Sequence, residues 1–348
     1  MKYTSTYLIV FTSILANFSC QRHPNEDRNA EVPKLGVAAQ GVSRISFGSC
    51  NNAFASNELW DEVIAASAEA WIWGGDIVYA DSDEPEQIRK HYNKQLSNPL
   101  YSELIASIPV FGTWDDHDYG RNDGGREFSI KAESQQLFLD FLQVEKDDPR
   151  RKREGVYTSH KLYSDGKTIE IIVLDTRYFR SELVPGTEGN RYGSTENPSA
   201  TILGDAQWIW LEDQLTKSTA DLVLLVSSIQ AISSEHGFEK WNTMPLERTH
   251  LLDAIAKTTI PVVVLSGDRH ISELSLQQWN GKEILEFTSS GLTHSYTGFK
   301  GEPNAYRIGE VVSKPSFGVI DVDWNTSVLK TIMVGDNAEI FQQKEFSF

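Results

Sequence analysis

The chain has 348 residues, of which 49 are acidic and 32 are basic, so its formal net charge is −17 at pH 7. A hydrophobic fraction of 40% and an aromatic fraction of 11% exclude a disordered chain and supply enough apolar side chains for a large core. The acidic balance argues against a nucleic-acid-binding surface or attraction to anionic membranes, and it suits an extracellular or metal-binding protein.

The N-terminus has the pattern of an export signal. Lys2 precedes an apolar run at residues 7–18, which has the length of a signal-peptide core and is too short for a comfortable membrane span. A small residue and Cys20 end this run, as in the signal of a bacterial lipoprotein that is cleaved before a lipidated cysteine. We therefore predict a lipoprotein-type signal peptide at residues 1–20 and a linker at residues 21–42.

Asn17 and Phe18 depart from the usual lipoprotein pattern, which leaves ordinary signal-peptidase cleavage or an uncleaved anchor as alternatives. In each case we expect the mature domain to work outside the cytoplasm. The expected location is the bacterial cell envelope (periplasm or outer membrane), with a lipid on Cys20 as the contact with the membrane, or otherwise the secreted fraction. If Cys20 is lipidated, Cys50 has no partner for an intramolecular disulfide, because the sequence contains two cysteines.

From about residue 43 onward, short apolar segments alternate with helical patterns. Six apolar segments that end in small or acidic residues are predicted as buried strands: 44–50, 70–76, 108–114, 169–176, 220–228 and 260–268. Five segments between them have the pattern of helices: 57–69, 84–107, 126–143, 204–218 and 245–258. This alternation predicts βα units.

The C-terminal part of the chain has a different pattern. Residues 273–290 alternate on both sides of Asn280-Gly281, which is a hairpin signal, and residues 317–335 contain two more strands. The sequence therefore predicts a mixed α/β domain, in which two sheets pack face to face with the helices outside.

Side chains that can bind a metal follow four of the predicted strands. They are a thiol, a phenol, three carboxylates and two imidazoles: Cys50, Asp76, Tyr79, Asp116, His117, Asp268 and His270. Ligands of open α/β sheets gather outside the carboxyl ends of the strands, so we expect these side chains to converge. Each could have a structural role by itself, whereas all of them together favour a shared metal centre.

The motifs GSC, GDIVYAD, TWDDHDYGRND, VLDTRYFR, SSIQ and SGDRH occur in this order within residues 43–295. In this combination they resemble the alkaline phosphatase D (PhoD-like) family of calcineurin-type metallophosphoesterases. The resemblance implies a four-layer α/β/β/α sandwich of two mixed sheets for residues 43–348. It also implies a dinuclear metal site at the strand ends.

The ligands of the two metal ions are likewise implied by the resemblance. For the first ion, which is expected to be Fe³⁺, the ligands are Cys50, Asp76, Tyr79 and His270. Thiolate and phenolate ligands suit Fe³⁺, since a phenol with a pKa near 10 needs a strong Lewis acid to ionise. For the second ion they are Asp76 as a bridge, Asp116, Asn122 and Asp268. These oxygen ligands favour Ca²⁺, with Mg²⁺, Mn²⁺ or Zn²⁺ as alternatives.

The motif TWDDHDYGRND also contains the expected catalytic residues. Asp116 is expected to bind metal, and the resemblance implies that His117 protonates the leaving alkoxide. Asp115 and Asp118 are expected to orient the loop and the imidazole, although a simple surface acid is an equally good interpretation of Asp118.

Two further residues are candidates for substrate binding. Arg177 in LDTRYFR could contact the substrate, although a fold-stabilising ion pair is an equally good interpretation. His294 in TSSGLTHSY could face the site, and a structural histidine is the simpler interpretation. The same structural interpretation applies to Gln230 and His236.

The sequence therefore predicts an exported, metal-dependent phosphoesterase that hydrolyses phosphate monoesters, diesters or both. One alternative is a dedicated phosphodiesterase or a phospholipase-like enzyme. Another is a non-catalytic surface lipoprotein that uses the fold as a binding module, but such a protein has no need to keep the costly acids together. A serine hydrolase is disfavoured, because the sequence has no GxSxG motif.

Overall fold

The strands of the protein form two mixed sheets with helices on their outer faces. The computed structural model describes residue 1 and residues 34–57, 59–164 and 166–348. The strands are β1 (Val42–Gly48), β2 (Ala70–Gly74), β3 (Val110–Thr113), β4 (Thr158–Ser164), β5 (Lys167–Val173), β6 (Leu222–Val226), β7 (Val262–Ser266), β8 (Ser272–Trp279), β9 (Lys282–Ser289), β10 (Arg307–Val312), β11 (Phe317–Asp323), β12 (Val328–Val334) and β13 (Ile340–Ser347). The α-helices are α1 (Trp60–Ala65), α2 (Pro85–Leu96), α3 (Pro99–Ser107), α4 (Asp116–Tyr119), α5 (Lys131–Phe141), α6 (Gly204–Lys217) and α7 (Pro245–Lys257).

Each sheet contains a block of parallel strands, which antiparallel strands extend on one side in the six-stranded sheet and on both sides in the seven-stranded sheet. The six-stranded sheet has the order β13-β12-β11-β1-β2-β3, in which β1, β2 and β3 are parallel. The seven-stranded sheet has the order β10-β8-β9-β7-β6-β5-β4, and here β5, β6, β7 and β9 are parallel. The parallel strands of one sheet therefore end at one edge, which is where polar side chains can meet.

Three apolar layers hold the domain together. Between the sheets, the ring of Phe47 on β1 meets that of Phe287 on β9 edge-to-face, with centroids 4.8 Å apart. On the outer face of the six-stranded sheet, the ring centroids of Trp60 on α1 and Trp71 on β2 are 5.5 Å apart. A third cluster joins α6 and α7 to the outer face of the seven-stranded sheet. These layers confirm the predicted α/β/β/α sandwich.

All six predicted strands and both hairpins are present, with ends that shift by up to a few residues. The segment 84–107, which was expected as one helix, forms the two helices α2 and α3. The chain breaks because Pro99 begins α3 and Asn98 caps it, with the Asn98 side chain accepting hydrogen bonds from the N–H groups of Leu100 and Tyr101.

Four of these strands and α-helices had no prediction: β4, β10, β13 and the short helix α4. Strand β4 is an edge strand with the sequence TSHKLYS, which lacks the apolar run of a buried strand. Helix α4 is the DHDY segment of the predicted metal site, where a run of charged residues gives no helical pattern.

Residues 2–20 of the predicted signal peptide, including the predicted anchor Cys20, lie outside the described residues, as does the linker up to residue 33. The rest of that linker is close to the domain, since the N–H of Leu35 donates to the Ala338 carbonyl at 3.0 Å. Among the described helices, none combines the length and the apolar character that a membrane span requires.

Candidate metal centre

The predicted ligands follow the parallel strands of both sheets. Cys50 follows β1, Asp76 follows β2, Asp116 follows β3, and Asp268 follows β7. Hydrogen bonds join the two sheets at this edge. The Thr113 hydroxyl, on one sheet, donates to the Leu174 carbonyl beyond β5 at 2.6 Å. The Ser49 hydroxyl donates to the Ser289 carbonyl at the end of β9 at 3.0 Å. The side chains after four strands therefore share one small volume.

Four of these residues have left-handed backbone conformations. The φ angle is 57° at Cys50, 50° at Asp76, 67° at Asp268 and 54° at His270. Residues other than glycine rarely adopt such angles, which cost on the order of 1–3 kcal/mol each and cluster at functional sites. The backbone thus turns sharply at each strand end and directs the ligand side chain toward the shared volume.

Gly75 allows the turn after β2 and the turn after β3 to approach each other. Its φ is 95°, and a Cβ at this position would lie 2.6 Å from the Cβ of Asp115. A side chain here would push apart the segments that carry Asp76 and Asp116, which explains the second glycine of GGD.

The first group of ligand atoms contains sulfur, nitrogen and oxygen. The Cys50 sulfur lies 3.5 Å from Asp76 Oδ2, and the ligand atoms of Cys50, Asp76 and His270 all lie within 4.8 Å of one another. The Tyr79 hydroxyl joins them, at 3.3 Å from Asp76 Oδ2 and 3.2 Å from His270 Nε2. The structure therefore brings together all four residues expected around the first ion.

Two more groups contain mainly carboxylates. One consists of Asp76, Asp116 and His117, and the other of Asp115, Asp116 and Asp268. Asp76 belongs to the first and second groups, and Asp116 belongs to the second and third, so the groups form a continuous cluster. This overlap is the arrangement that two neighbouring cations with a bridging Asp76 would need.

Burial of these acids favours their neutral, protonated forms unless a cation compensates their charges. Burial raises the pKa of the Cys50 thiol to about 11. Burial, together with the charges of Cys50 and Asp116, raises the pKa of Asp76 well above its usual value. Burial likewise raises the pKa of Tyr79 and that of Asp268. These groups repel one another as anions, and bound cations would allow them to ionise together.

His117 has a carboxylate partner that the sequence did not identify. Its Nδ1 lies 2.7 Å from one oxygen of Asp81 and 2.8 Å from the other. The prediction that Asp118 orients this imidazole is wrong. The Asp118 carboxylate accepts instead from the N–H groups of Ile77, at 3.1 Å, and Asp115, at 2.6 Å, and so fixes the loop. Asp81 stands two residues after Tyr79 in the motif GDIVYAD, and this position is the sequence signal that could have identified it as the partner of His117.

Arg177 lies in a buried ion-pair network. It is fully buried, pairs with Asp115, and donates from Nη1 to Glu239 at 2.6 Å. Arg180 pairs with the other oxygen of Glu239 at 2.9 Å. Of the two interpretations of Arg177, the structure supports the ion pair, since the guanidinium has no exposed surface for a substrate.

His294 lies beside the first ligand group. Its ring centroid is 4.6 Å from that of His270 and 4.9 Å from that of Tyr79. His294 therefore remains a candidate for substrate contact.

Gln230 is buried and donates to Glu273 at 2.7 Å, and His236 is also buried, so both have the expected structural surroundings.

A cavity of about 470 Å³ opens beside the ligand groups. Its lining contains the expected Asp116, His117, Asn122, Asp268 and His270. Asn122 is exposed, and its amide nitrogen donates to Asp123. The lining also includes residues without a sequence-based prediction: Asp123, Arg191, Phe238, Glu239, Arg269, Ser295 and Tyr296. Asp123 and Arg269 stand in the motifs TWDDHDYGRND and SGDRH, whereas the other five come from loops that lack a motif, so no spacing in the sequence marks those five.

The ion-pair network predicts that one substitution that removes a charge strongly lowers the free energy of unfolding. Glu239→Gln leaves Arg177 and Arg180 without their shared carboxylate, and breaking a buried pair costs about 3–5 kcal/mol in the free energy of unfolding. Chemical denaturation checks this. The matched control is Asp213→Asn, which breaks the exposed pair with Lys217 and should cost about 0–1 kcal/mol. Equal effects of the two substitutions would contradict the structural role of Glu239.

Comparison with known proteins relates this site to a family. A family model described as PhoD-like phosphatase matches residues 45–323. Alkaline phosphatase D of Bacillus subtilis (strain 168) is 28% identical over 208 aligned residues, and the match covers 54% of this chain and 35% of that protein. The match with this curated relative therefore spans about a third of its length.

Solved structures agree on the fold. A structure described as PhoD superimposes with a TM-score of 0.71 at 18% identity, over 91% of this chain and 70% of that one. GAP50, described as the anchor in the inner membrane complex of Plasmodium, superimposes with a TM-score of 0.57 at 14% identity, over 88% and 89% of the two chains. At these identities the similarity concerns the fold. Because the family model spans most of the chain, including all the predicted metal ligands, the chain belongs to the PhoD-like phosphatase family.

Proposed function

We propose that this protein hydrolyses phosphate monoesters, diesters or both, with two metal ions at the strand ends. The observation that carries the proposal is the continuous cluster of ligand groups in which Asp76 and Asp116 are shared. Membership of a phosphatase family supports the reaction class. A cavity of about 470 Å³ beside the cluster is large enough for a small phosphoester.

The two halves of the cluster differ in their donor atoms. Cys50, Asp76, Tyr79 and His270 offer a thiolate, a carboxylate, a phenolate and an imidazole, which suit Fe³⁺. Asp116, Asn122 and Asp268 offer oxygen, which suits Ca²⁺. When bound, two such cations polarise the phosphate oxygens and lower the pKa of a bound water. The chain's own part is to hold the ligands and to admit the phosphate.

Metal analysis checks the donor assignment. We expect about one iron and about one calcium per purified chain, with a visible phenolate-to-iron charge-transfer band. Tyr79→Phe should abolish the band, whereas Tyr163→Phe, on the exposed edge strand β4, should retain it. Asp268→Asn should lose mainly calcium, because a charged oxygen ligand is replaced by a neutral one. Zinc in both positions without a visible band would contradict the assignment.

His117 is suited to act as the general acid. Its Nδ1 is occupied by Asp81, which leaves Nε2 for the leaving oxygen of the ester. Its side chain is 19% exposed and lines the cavity, so a substrate can reach it. The Asp81 carboxylate fixes the ring orientation, and it thereby positions the proton without touching the substrate.

Leaving-group dependence checks this role. His117→Ala should lose about 10²–10⁴-fold in kcat on alkyl phosphates, whose alkoxides leave poorly, and far less on nitrophenyl esters. Asp81→Asn should show the same dependence with a smaller loss, because the ring remains but is less well oriented. Metal content should stay unchanged in both variants. Loss of metal from His117→Ala would identify His117 as a ligand, since it also lies within reach of Asp76 and Asp116.

We also propose that the protein is exported and anchored by a lipid on Cys20. The apolar run at residues 7–18 and the small residue before Cys20 support this. Expression of the full chain with labelled palmitate should label the wild type in the membrane fraction. Cys20→Ser should lose the label and leave the membrane fraction, while Cys50→Ser should keep the label. Equal labelling of wild type and Cys20→Ser would contradict lipidation at this residue.

A further inference from the structure

Two aromatic side chains line the candidate active-site cavity while remaining open to solvent. Phe238 is 39% exposed and Tyr296 is 45% exposed, whereas most large hydrophobic side chains of the described chain are buried. Both lie in the wall of the cavity that contains Asp116 and Asp268. Exposed aromatic rings beside a polar site are a common means of binding an organic group.

The ring of Phe238 packs against a buried arginine. The Arg269 guanidinium lies 4.3 Å from the ring centroid and is itself only 6% exposed. Arg269 pairs with Glu302 at 2.5 Å, which fixes the guanidinium. Gly237, the neighbour of Phe238, accepts a hydrogen bond at 3.0 Å from the N–H of Tyr192 on another loop. The ring is therefore a fixed surface, and binding against it costs little side-chain entropy.

Tyr296 is tied to the metal-ligand cluster. Its N–H donates to the carbonyl oxygen of His270 at 2.6 Å, and its own carbonyl accepts from the N–H of Phe299 at 3.0 Å. The neighbouring Ser295 hydroxyl is buried and has no hydrogen-bond partner among the described residues. A ligand that reaches the metal ligands therefore also meets the Tyr296 ring.

The same wall carries a positive charge. Arg191 is 53% exposed and pairs with Asp123, whose N–H donates to Asp116 Oδ2 at 2.5 Å. Arg191 precedes Tyr192, which is bonded to Gly237, so the cation and the Phe238 ring belong to loops that contact each other. An aromatic ring and an exposed cation beside metal ligands are complementary to an anion that carries a flat apolar group.

We propose that Phe238 and Tyr296 form a subsite for a planar aromatic group that an ester oxygen links to the phosphorus of the substrate. This inference rests on the proposed phosphoesterase function and specifies its substrate class, namely aryl phosphoesters rather than esters of small polar alcohols. The phosphate itself binds at the metal ligands, and the subsite contributes selectivity between organic groups. Packing of a ring against two aromatic side chains corresponds to about a tenfold gain in affinity.

Binding of phosphonates tests the subsite separately from hydrolysis, because their phosphorus–carbon bond remains intact. Calorimetry with the metal-loaded protein would compare phenylphosphonate, cyclohexylphosphonate and methylphosphonate at an alkaline pH at which all three are dianions. We expect phenylphosphonate to bind about tenfold more tightly than methylphosphonate. Phe238→Ala with Tyr296→Ala should remove this preference and leave the affinity for methylphosphonate nearly unchanged. Tyr163→Ala, which removes a 73% exposed ring on β4, is the matched control.

The outcomes separate this inference from the proposed function. If the wild type binds phenylphosphonate and methylphosphonate equally, or if the double variant keeps the preference, the subsite is overturned and the phosphoesterase proposal stands. If cyclohexylphosphonate binds as tightly as phenylphosphonate, the preference for a planar ring is overturned. If none of the three binds to the metal-loaded protein, both proposals are overturned.

Discussion

The structure of the site depends on the electrostatic compensation of acids that are buried together. Asp76, Asp116 and Asp268 lie with a buried thiol and a phenol at one edge of two sheets. Burial raises the pKa of most of these groups, because removing a charge from water is costly and like charges oppose one another. Such a cluster would be destabilising by itself. Cations bound between the carboxylates would reverse the balance, which is why the donor set points to metals.

Part of the compensation comes from the protein itself. Burial opposes the ionisation of Asp116, but the charges of Arg177 and His117 outweigh it, so the pKa of Asp116 is lowered. Arg177 in turn is held between Asp115 and Glu239. The network therefore keeps one carboxylate of the cluster ionised and fixes the turn that carries it. It acts from behind the site, and the open cavity remains available for the substrate.

The backbone contributes geometry that side-chain chemistry alone does not provide. Left-handed residues after β1, β2 and β7 turn the chain sharply, and Gly75 lets two turns approach closely. Strain of this kind persists only where surrounding structure enforces it. Here the three apolar layers and the hydrogen bonds between the strand ends provide that enforcement. Rigid sheets thus support a strained edge, at which ligands from distant parts of the sequence meet.

The amino-acid sequence by itself determined the fold class, the strands that carry the candidate ligands, and the group of Cys50, Asp76, Tyr79 and His270 that the structure brings together. It could do so because buried strands have continuous apolar runs, and because acids directly after such runs need a reason to be there. It did not predict the edge strand β4, the partition of residues 84–107, or the side-chain partners of His117 and Arg177. Tertiary structure decided those partners, since Asp81 and Glu239 reach them through loops whose course depends on packing. The aromatic wall of Phe238 and Tyr296 is of the same kind: no periodicity marks two loop residues 58 positions apart, and only the folded chain brings them to one cavity.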